Sequence, residues 1–239
     1  MSKTLTLLPL VLAIWLPQVA IAQHSDIEFG YSGGVIEIED HGGIPGTIDA
    51  SWIFEGDFPT SGLSQNFTSD PGFASEVAEG LGVNPGDQIW IGALLSPSLG
   101  GALQYHDGVS FTSTSATITI EDNAGVTSDL VANESGFSGD NPLFLQEADS
   151  IGDIHSHVDF TLSAGAAQGA YGLLFDLQTT ASGIGNSDPF WIVFNHGLDE
   201  TVFEGTVLSA FGAAQVPEPG SALILAAGAG MLLARRRRT

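Results

Sequence analysis

Between Gln23 and Val216 the chain contains not one lysine or arginine. An average composition would place roughly two dozen basic residues in a stretch of that length. The five that the chain does have sit at its ends: Lys3 at one, Arg235, Arg236, Arg237 and Arg238 at the other. Of 28 Asp and Glu residues only Glu218 lies outside the central region, which leaves 27 carboxylates there and a formal charge of −27. No carboxylate of the central region can pair with a Lys or Arg of that region. Nucleic acid is excluded as a direct partner, because the cations that would neutralise its phosphates are missing. The chain has no cysteine, which excludes disulfides and thiolate metal sites. It is also 43% hydrophobic with 14 Phe and 4 Trp, too apolar for a solvated disordered polyanion. A folded, strongly acidic domain is what remains.

The ends read as export elements. Lys3, the apolar run Leu5 to Leu16 and the small-residue site Ala20-Ile21-Ala22 have the three parts of a secretory signal, with cleavage after Ala22 by signal peptidase. At the other end Val216-Pro217-Glu218-Pro219 precedes an apolar run, Gly220 to Ala234, and then the four arginines. Those fifteen residues would make a helix about 22 Å long, short of a ~30 Å hydrocarbon core. The arginines would snorkel and hold its end at the cytoplasmic side of the inner membrane. This tripartite tail resembles the PEP-CTERM sorting signal of Gram-negative bacteria that make exopolysaccharide. The resemblance implies processing at Pro217-Glu218-Pro219 by a dedicated membrane protease, and a destination at the cell surface or in the exopolysaccharide matrix. The expected organisation is a signal peptide over 1–22, one domain over 23–215 and a sorting tail over 216–239.

The domain reads as all-β, an antiparallel sandwich of jelly-roll type. Alternating or β-rich runs predict strands over Val35 to Glu39, Thr47 to Glu55, Gln88 to Leu94 and Ala116 to Glu121. Four more are predicted over His155 to Ser163, Gly169 to Thr179, Phe190 to Asn195 and Thr201 to Ala210. Gly-, Asn- and Pro-rich turns separate them, among them Asn84-Pro85-Gly86-Asp87 and Asn123-Ala124-Gly125. One short helix is predicted over Phe73 to Leu81, capped by Asp70 ahead of Pro71.

Chemistry concentrates in Asp153-Ile154-His155-Ser156-His157-Val158-Asp159-Phe160. On a strand, residues two apart share a face, so Asp153, His155, His157 and Asp159 form a polar ladder opposite Ile154, Val158 and Phe160. Imidazoles and carboxylates on one face make a nitrogen/oxygen site suited to zinc or another transition metal. His24-Ser25-Asp26 repeats the spacing, and pairing of the two segments would assemble a His₃-carboxylate set; His196, at a strand end, is a further candidate ligand. His106 reads as a turn residue beside the hairpin signal Asp107-Gly108. Oxygen-rich loops at Asp149 to Asp153 and Ser182 to Asp188 make calcium the other candidate cation. Trp52, Trp90, Tyr105 and Trp191 are aromatics that could stack on sugar rings if exposed.

A second resemblance rests on four motifs in order: His24-Ser25-Asp26-Ile27-Glu28-Phe29, Thr68-Ser69-Asp70-Pro71-Gly72-Phe73, His155-Ser156-His157-Val158-Asp159-Phe160-Thr161-Leu162, and Ser187-Asp188-Pro189-Phe190-Trp191-Ile192-Val193-Phe194-Asn195. Together they look like a family of exported PEP-CTERM proteins, some of them under a zinc-uptake repressor. They are also similar to surface-anchored repeats encoded beside zinc or manganese transporters, although Ile154 stands where those repeats have Gly. The resemblance implies extracytoplasmic zinc handling through His24, Asp26, His155, His157 and His196, and no established catalysis. Enzyme signatures are missing: there is no G-x-S-x-G elbow, H-E-x-x-H helix or phosphate-binding loop. Metal-assisted hydrolysis at an open coordination position, or a carboxylate pair of glycosidase type, stays chemically available, but no pattern selects either. The sequence therefore reads as a non-enzymatic exported metal binder, with a structural or carbohydrate-binding matrix protein as the alternative.

Uncompensated acid charge should weaken the fold when counterions are scarce. The melting temperature is expected to rise from no added salt to molar salt, or on adding millimolar calcium. A melting curve that does not move under either condition contradicts this.

Overall fold

The computed structural model describes residues 26–38 and 53–214. Among these residues sixteen strands form three sheets. In chain order they are β1 (Ile27–Ser32), β2 (Val35–Ile38), β3 (Ile53–Asp57), β4 (Phe67–Thr68), β5 (Phe73–Ser75), β6 (Gln88–Leu94), β7 (Gln104–His106) and β8 (Phe111–Thr112). The rest are β9 (Ile118–Asp122), β10 (Leu130–Asn133), β11 (Gly136–Ser138), β12 (Leu143–Glu147), β13 (Ile154–Ser156), β14 (Val158–Leu162), β15 (Gly169–Thr179) and β16 (Phe190–His196). The seven-stranded sheet runs β12-β6-β15-β16-β3, with β7 paired to β15 and β8 to β7; the others run β13-β5-β1-β2 and β11-β10-β9-β14-β4. Pairing is antiparallel except between β1 and β5 and between β3 and β16.

Burial patterns show how the layers stack. In β9 and β14 buried Ile118, Ile120, Val158, Phe160 and Leu162 alternate with more exposed residues, the mark of a sheet covered on one face. β16 is buried at every position and β15 over Gly169–Leu177, so both faces there are covered. Their inward residues, including Tyr171, Phe175, Phe190 and Phe194, join those of the two smaller sheets in one core. Their outward residues Ala170, Leu174, Trp191 and Val193 lie beneath Phe203, Val207, Leu208 and Phe211. The result is an all-β sandwich with a helical cover over part of one outer face.

That cover replaces the strand expected over Thr201 to Ala210. Glu200–Val202, Phe203–Val207 and Leu208–Ala213 form one continuous helical run, with a wide π-helical turn in the middle. Thr, Val and Phe favour strands locally, but the burial of Phe203, Val207, Leu208 and Phe211 follows the helical period. Asp199 caps the run by accepting from Thr201 N at 3.0 Å. The helix expected over Phe73 to Leu81 is likewise corrected. Phe73–Ser75 is the buried strand β5, and only a 3₁₀ turn, Val77–Glu79, follows it. Asp70 does not cap that turn; its own N–H donates to Thr68 Oγ1, and Val77 N donates to Asp153 Oδ1 at 2.7 Å. Asp107-Gly108 does close a hairpin, between β7 and β8, yet His106 is a buried strand residue rather than part of the turn. Gly108 N donates to its Nδ1 at 3.1 Å, and burial, opposed by nearby Asp107, lowers its pKa. The runs predicted over Gln88–Leu94 and Gly169–Thr179 are strands with those same bounds.

Phe211 is fully buried between Phe111 and Trp191. Phe211→Ala is expected to lower the unfolding free energy by about 3–5 kcal/mol, because it leaves a cavity between helix and sheet. Chemical denaturation measures this. A loss below about 1 kcal/mol would mean that the helical run is not part of the cooperative fold.

Candidate metal centre

β5 lies between β1 and β13, and its registers align three residues from distant parts of the chain. Ile27 pairs with Phe73 on one side, and Phe73 with Ser156 on the other. One step further along the same registers, Asp26, Gly72 and His157 fall in a row across the three strands. Neighbouring strands are about 4.8 Å apart, so Asp26 and His157 flank the glycine at about twice that spacing. Gly72 has no side chain, and the two flanking side chains close over it. A Cβ placed there would lie 2.6 Å from Asp26 Oδ1 and 2.5 Å from His157 Cε1. The next residue on β13 facing the same way is His155, whose Nε2 lies 3.4 Å from Asp26 Oδ2. The rings of His155 and His157 are 5.6 Å apart between centroids.

Asp26, His155 and His157 each offer one ligand atom, and all three atoms lie within 4.8 Å of one another. No other group of three such side chains occurs among the described residues. The Ser69 carbonyl lies 2.8 Å from His157 Nδ1. A carbonyl can only accept, so Nδ1 carries the proton and the lone pair is on Nε2. An outer partner that fixes the tautomer in this way is the usual companion of a metal-binding imidazole. The His157 carbonyl accepts from Asn123 Nδ2 at 2.9 Å, which anchors the backbone at that point. Access differs between the ligands: the His155 side chain is 61% exposed and that of Asp26 25%.

The alternation expected of 153–159 is present, with Ile154, Val158 and Phe160 buried opposite the histidines. The ladder itself is divided, because His157 sits at the crossing from β13 in one sheet to β14 in another. Asp159 therefore belongs to β14, opposite Glu121 of β9, and is not in the three-residue group. Asp153 is also drawn away, to the backbone of Val77. His196 is buried at the end of β16, against Tyr171, with its Nδ1 3.3 Å from the Phe58 carbonyl. It too lies outside the group, held by the seven-stranded sheet. His24 lies outside the described residues, as do Ala22 and the residues of the sorting tail, including Pro217, Glu218, Pro219 and Arg235 to Arg238.

Gly72 and Ser69 were not among the predicted site residues, because their segment read as the approach to a helix. The signal was present in Asp70-Pro71-Gly72-Phe73: a glycine just ahead of a short buried run marks a place where other groups come close. In the loop Asp149 to Asp153, one of the two offered for calcium, one carboxylate oxygen is engaged by the backbone. Asp149 Oδ1 accepts from the backbone N–H groups of Ile151, Gly152 and Asp153 at 2.8, 2.9 and 3.0 Å. These bonds hold its carboxyl below the ordinary carboxylate range. The stabilisation is present above the unfolded-chain pKa and is lost as pH falls through the lowered folded value. The same loop carries the chain into β13 and so places His155.

A β-sandwich with a shallow histidine–carboxylate group on one of its smaller sheets describes the class. Residues 215–238 match the PEP-CTERM protein-sorting motif. The chain is thus a PEP-CTERM protein, exported across the inner membrane to the cell surface or the extracellular space, with a tail of the kind a membrane protease processes. The match covers the tail and not the domain. No curated protein and no solved structure matches the chain. Among the described residues no helix is long and apolar enough to cross a membrane.

Gly72→Ala tests the row directly. The added methyl must displace His157 or Asp26, so divalent-metal affinity is expected to fall by about 10–100-fold, as when a metal site loses an orienting partner. Titration of the variant with zinc measures it. Affinity equal to that of the parent protein would show that the three residues do not act together.

Proposed function

We propose that this protein binds a divalent metal, zinc above all, outside the inner membrane and does no chemistry on it. The observation that carries this reading is the convergence of Asp26, His155 and His157 over Gly72. Two donors each about 2.0–2.1 Å from a tetrahedral zinc are about 3.4 Å apart. His155 Nε2 and Asp26 Oδ2 are separated by 3.4 Å. The donor set, two imidazoles and a carboxylate, suits zinc better than calcium, which prefers oxygen alone. Three protein ligands leave a fourth position for water or for His24, two residues before Asp26 in the sequence. An exposed, three-ligand site exchanges its ion more readily than a closed structural one, which suits scavenging or buffering of metal. Protons compete for the imidazole lone pairs, so the ion is released on acidification.

The tail supports a place for this activity at the cell surface or in the exopolysaccharide matrix, after signal peptidase and the membrane protease that processes such tails have acted. The acid charge of the domain favours cations of every kind near its surface. Only the imidazoles distinguish a transition metal from calcium or magnesium.

The test is calorimetric titration of the untagged protein with zinc. One ion per chain at micromolar affinity or tighter is expected, and His155→Ala/His157→Ala should abolish it. Weak binding at many sites, unchanged by the double substitution, would refute the proposal and leave a polyanion with an ordinary counterion cloud.

A further inference from the structure

The outer face of the seven-stranded sheet is only partly roofed. The helical run covers Ala170, Leu174, Trp191 and Val193, whereas β6 and β12 return to alternating burial. On that side Trp90 and Phe144 are half-buried, cross-strand neighbours, and meet edge to face with centroids 5.2 Å apart. Antiparallel pairing sets Trp90 opposite Gln178 and Gly92 opposite Asp176, so all five residues share one face.

Gly92 stands at the middle of this face. Asp176 Oδ1 and Gln178 Nε2 occupy the space that a Cβ on Gly92 would need. Asp176 is 7% exposed as a residue, and its carboxylate accepts from Gln178 Nε2 at 2.9 Å and from Asn186 Nδ2 at 2.8 Å. A carboxylate sunk into a sheet face without a cation is costly unless it is hydrogen-bonded, and here two amides supply the bonds. Each amide keeps a second N–H and a carbonyl oxygen beyond that bond. An aromatic platform therefore lies one strand spacing from an ordered set of donors and acceptors.

We infer that this face binds a neutral polysaccharide. A sugar ring has apolar C–H faces that suit the indole of Trp90 and a rim of hydroxyls that can both donate and accept, as amides and a carboxylate require. Charge decides between classes of glycan. The chain has no Lys or Arg between Gln23 and Val216, so uronates, sulfates and phosphates would meet only repulsion at a face that contains Asp176. Tyr105 and Trp191, the other aromatics considered for such a role, are buried within the fold and do not serve it; Trp52 lies outside the described residues. The site involves a different sheet from the histidine–carboxylate group, and the inference does not depend on metal binding.

Affinity electrophoresis of the full chain in mild detergent tests this, through native gels containing β-glucan, galactomannan, dextran or alginate. Slower migration in at least one neutral gel and none in alginate is expected. Trp90→Ala and Gln178→Ala should each weaken retention by about tenfold or more, as truncation of a central contact does. Gln178→Ala removes a smaller, half-buried polar side chain, and this variant carries the test if Trp90→Ala fails to fold. His155→Ala/His157→Ala should leave retention unchanged, which separates this result from that of the zinc titration. Free migration through every neutral gel overturns the inference. So does retention in alginate alone, or retention that both face variants preserve.

Discussion

A carboxylate in this domain has no lysine or arginine of the domain to turn to, and the local structure follows from how each one is accommodated instead. Asp149 is wrapped by three backbone N–H groups, and Asp107 accepts from those of Val109 and Ser110. Asp122 is partly buried, which raises its pKa, but the Thr127 hydroxyl and N–H and the Val126 N–H more than offset this and hold it low. Asp199 caps a helix, Asp153 receives a 3₁₀ turn from across the sheet, and Asp176 is held by two amides. Backbone N–H groups thus do what cationic side chains do elsewhere. They bring the chain into tight turns, and those turns set the ends of the strands. Asp26 is distinguished by the ring nitrogen it faces, His155 Nε2, 3.4 Å from its Oδ2.

Both candidate sites use a glycine on a strand or beside one, whose empty side-chain position is filled by polar groups from neighbouring strands. Gly72 lies between Asp26 and His157, and Gly92 beneath Asp176 and Gln178. In a flat sheet, side chains two strands apart stand too far from each other to share a ligand. Removing the one between them, as at Gly72, lets long side chains lean together without bending the backbone. Such a site is shallow and open to solvent, which fits an extracellular binding role better than a reaction that must exclude water.

The sandwich was legible because its strands obey local rules. Gly169–Thr179 and Gln88–Leu94 combine β-rich composition with turn signals at both ends, and their bounds could be read directly. Thr201 to Ala210 was misread because residues of strand preference occupy a helix whose apolar period is supplied by the sheet beneath it. Phe73 to Leu81 failed for the opposite reason, since two strands from elsewhere in the chain recruit Phe73–Ser75 between them. In the site, the pairing of His155 with His157 and the involvement of Asp26 followed from spacing. Gly72 and the Ser69 carbonyl did not, because their contribution is empty space and a backbone oxygen. Neither has a pattern of its own in sequence. His196 shows the converse: a strand-end histidine looks available, while the fold spends it on the Phe58 carbonyl and the face of Tyr171.

The field of so many carboxylates has a consequence for selectivity. A polyanion raises the local concentration of every cation, so calcium and magnesium, abundant outside cells, gather around the domain as readily as zinc. Charge alone would therefore make a poor sensor or scavenger of a scarce metal. The proposed site over Gly72 would meet that difficulty with a single carboxylate and two imidazoles, a set in which hard cations lose most of their advantage. There Asp26 would supply the one charge that draws the ion from the surrounding cloud. In the proposed site His157, its tautomer fixed by Ser69, and the exposed His155 would then sort zinc from the rest. The same field would keep anionic glycans from the Trp90 face, so one composition would filter the ligands of both proposed sites by opposite signs.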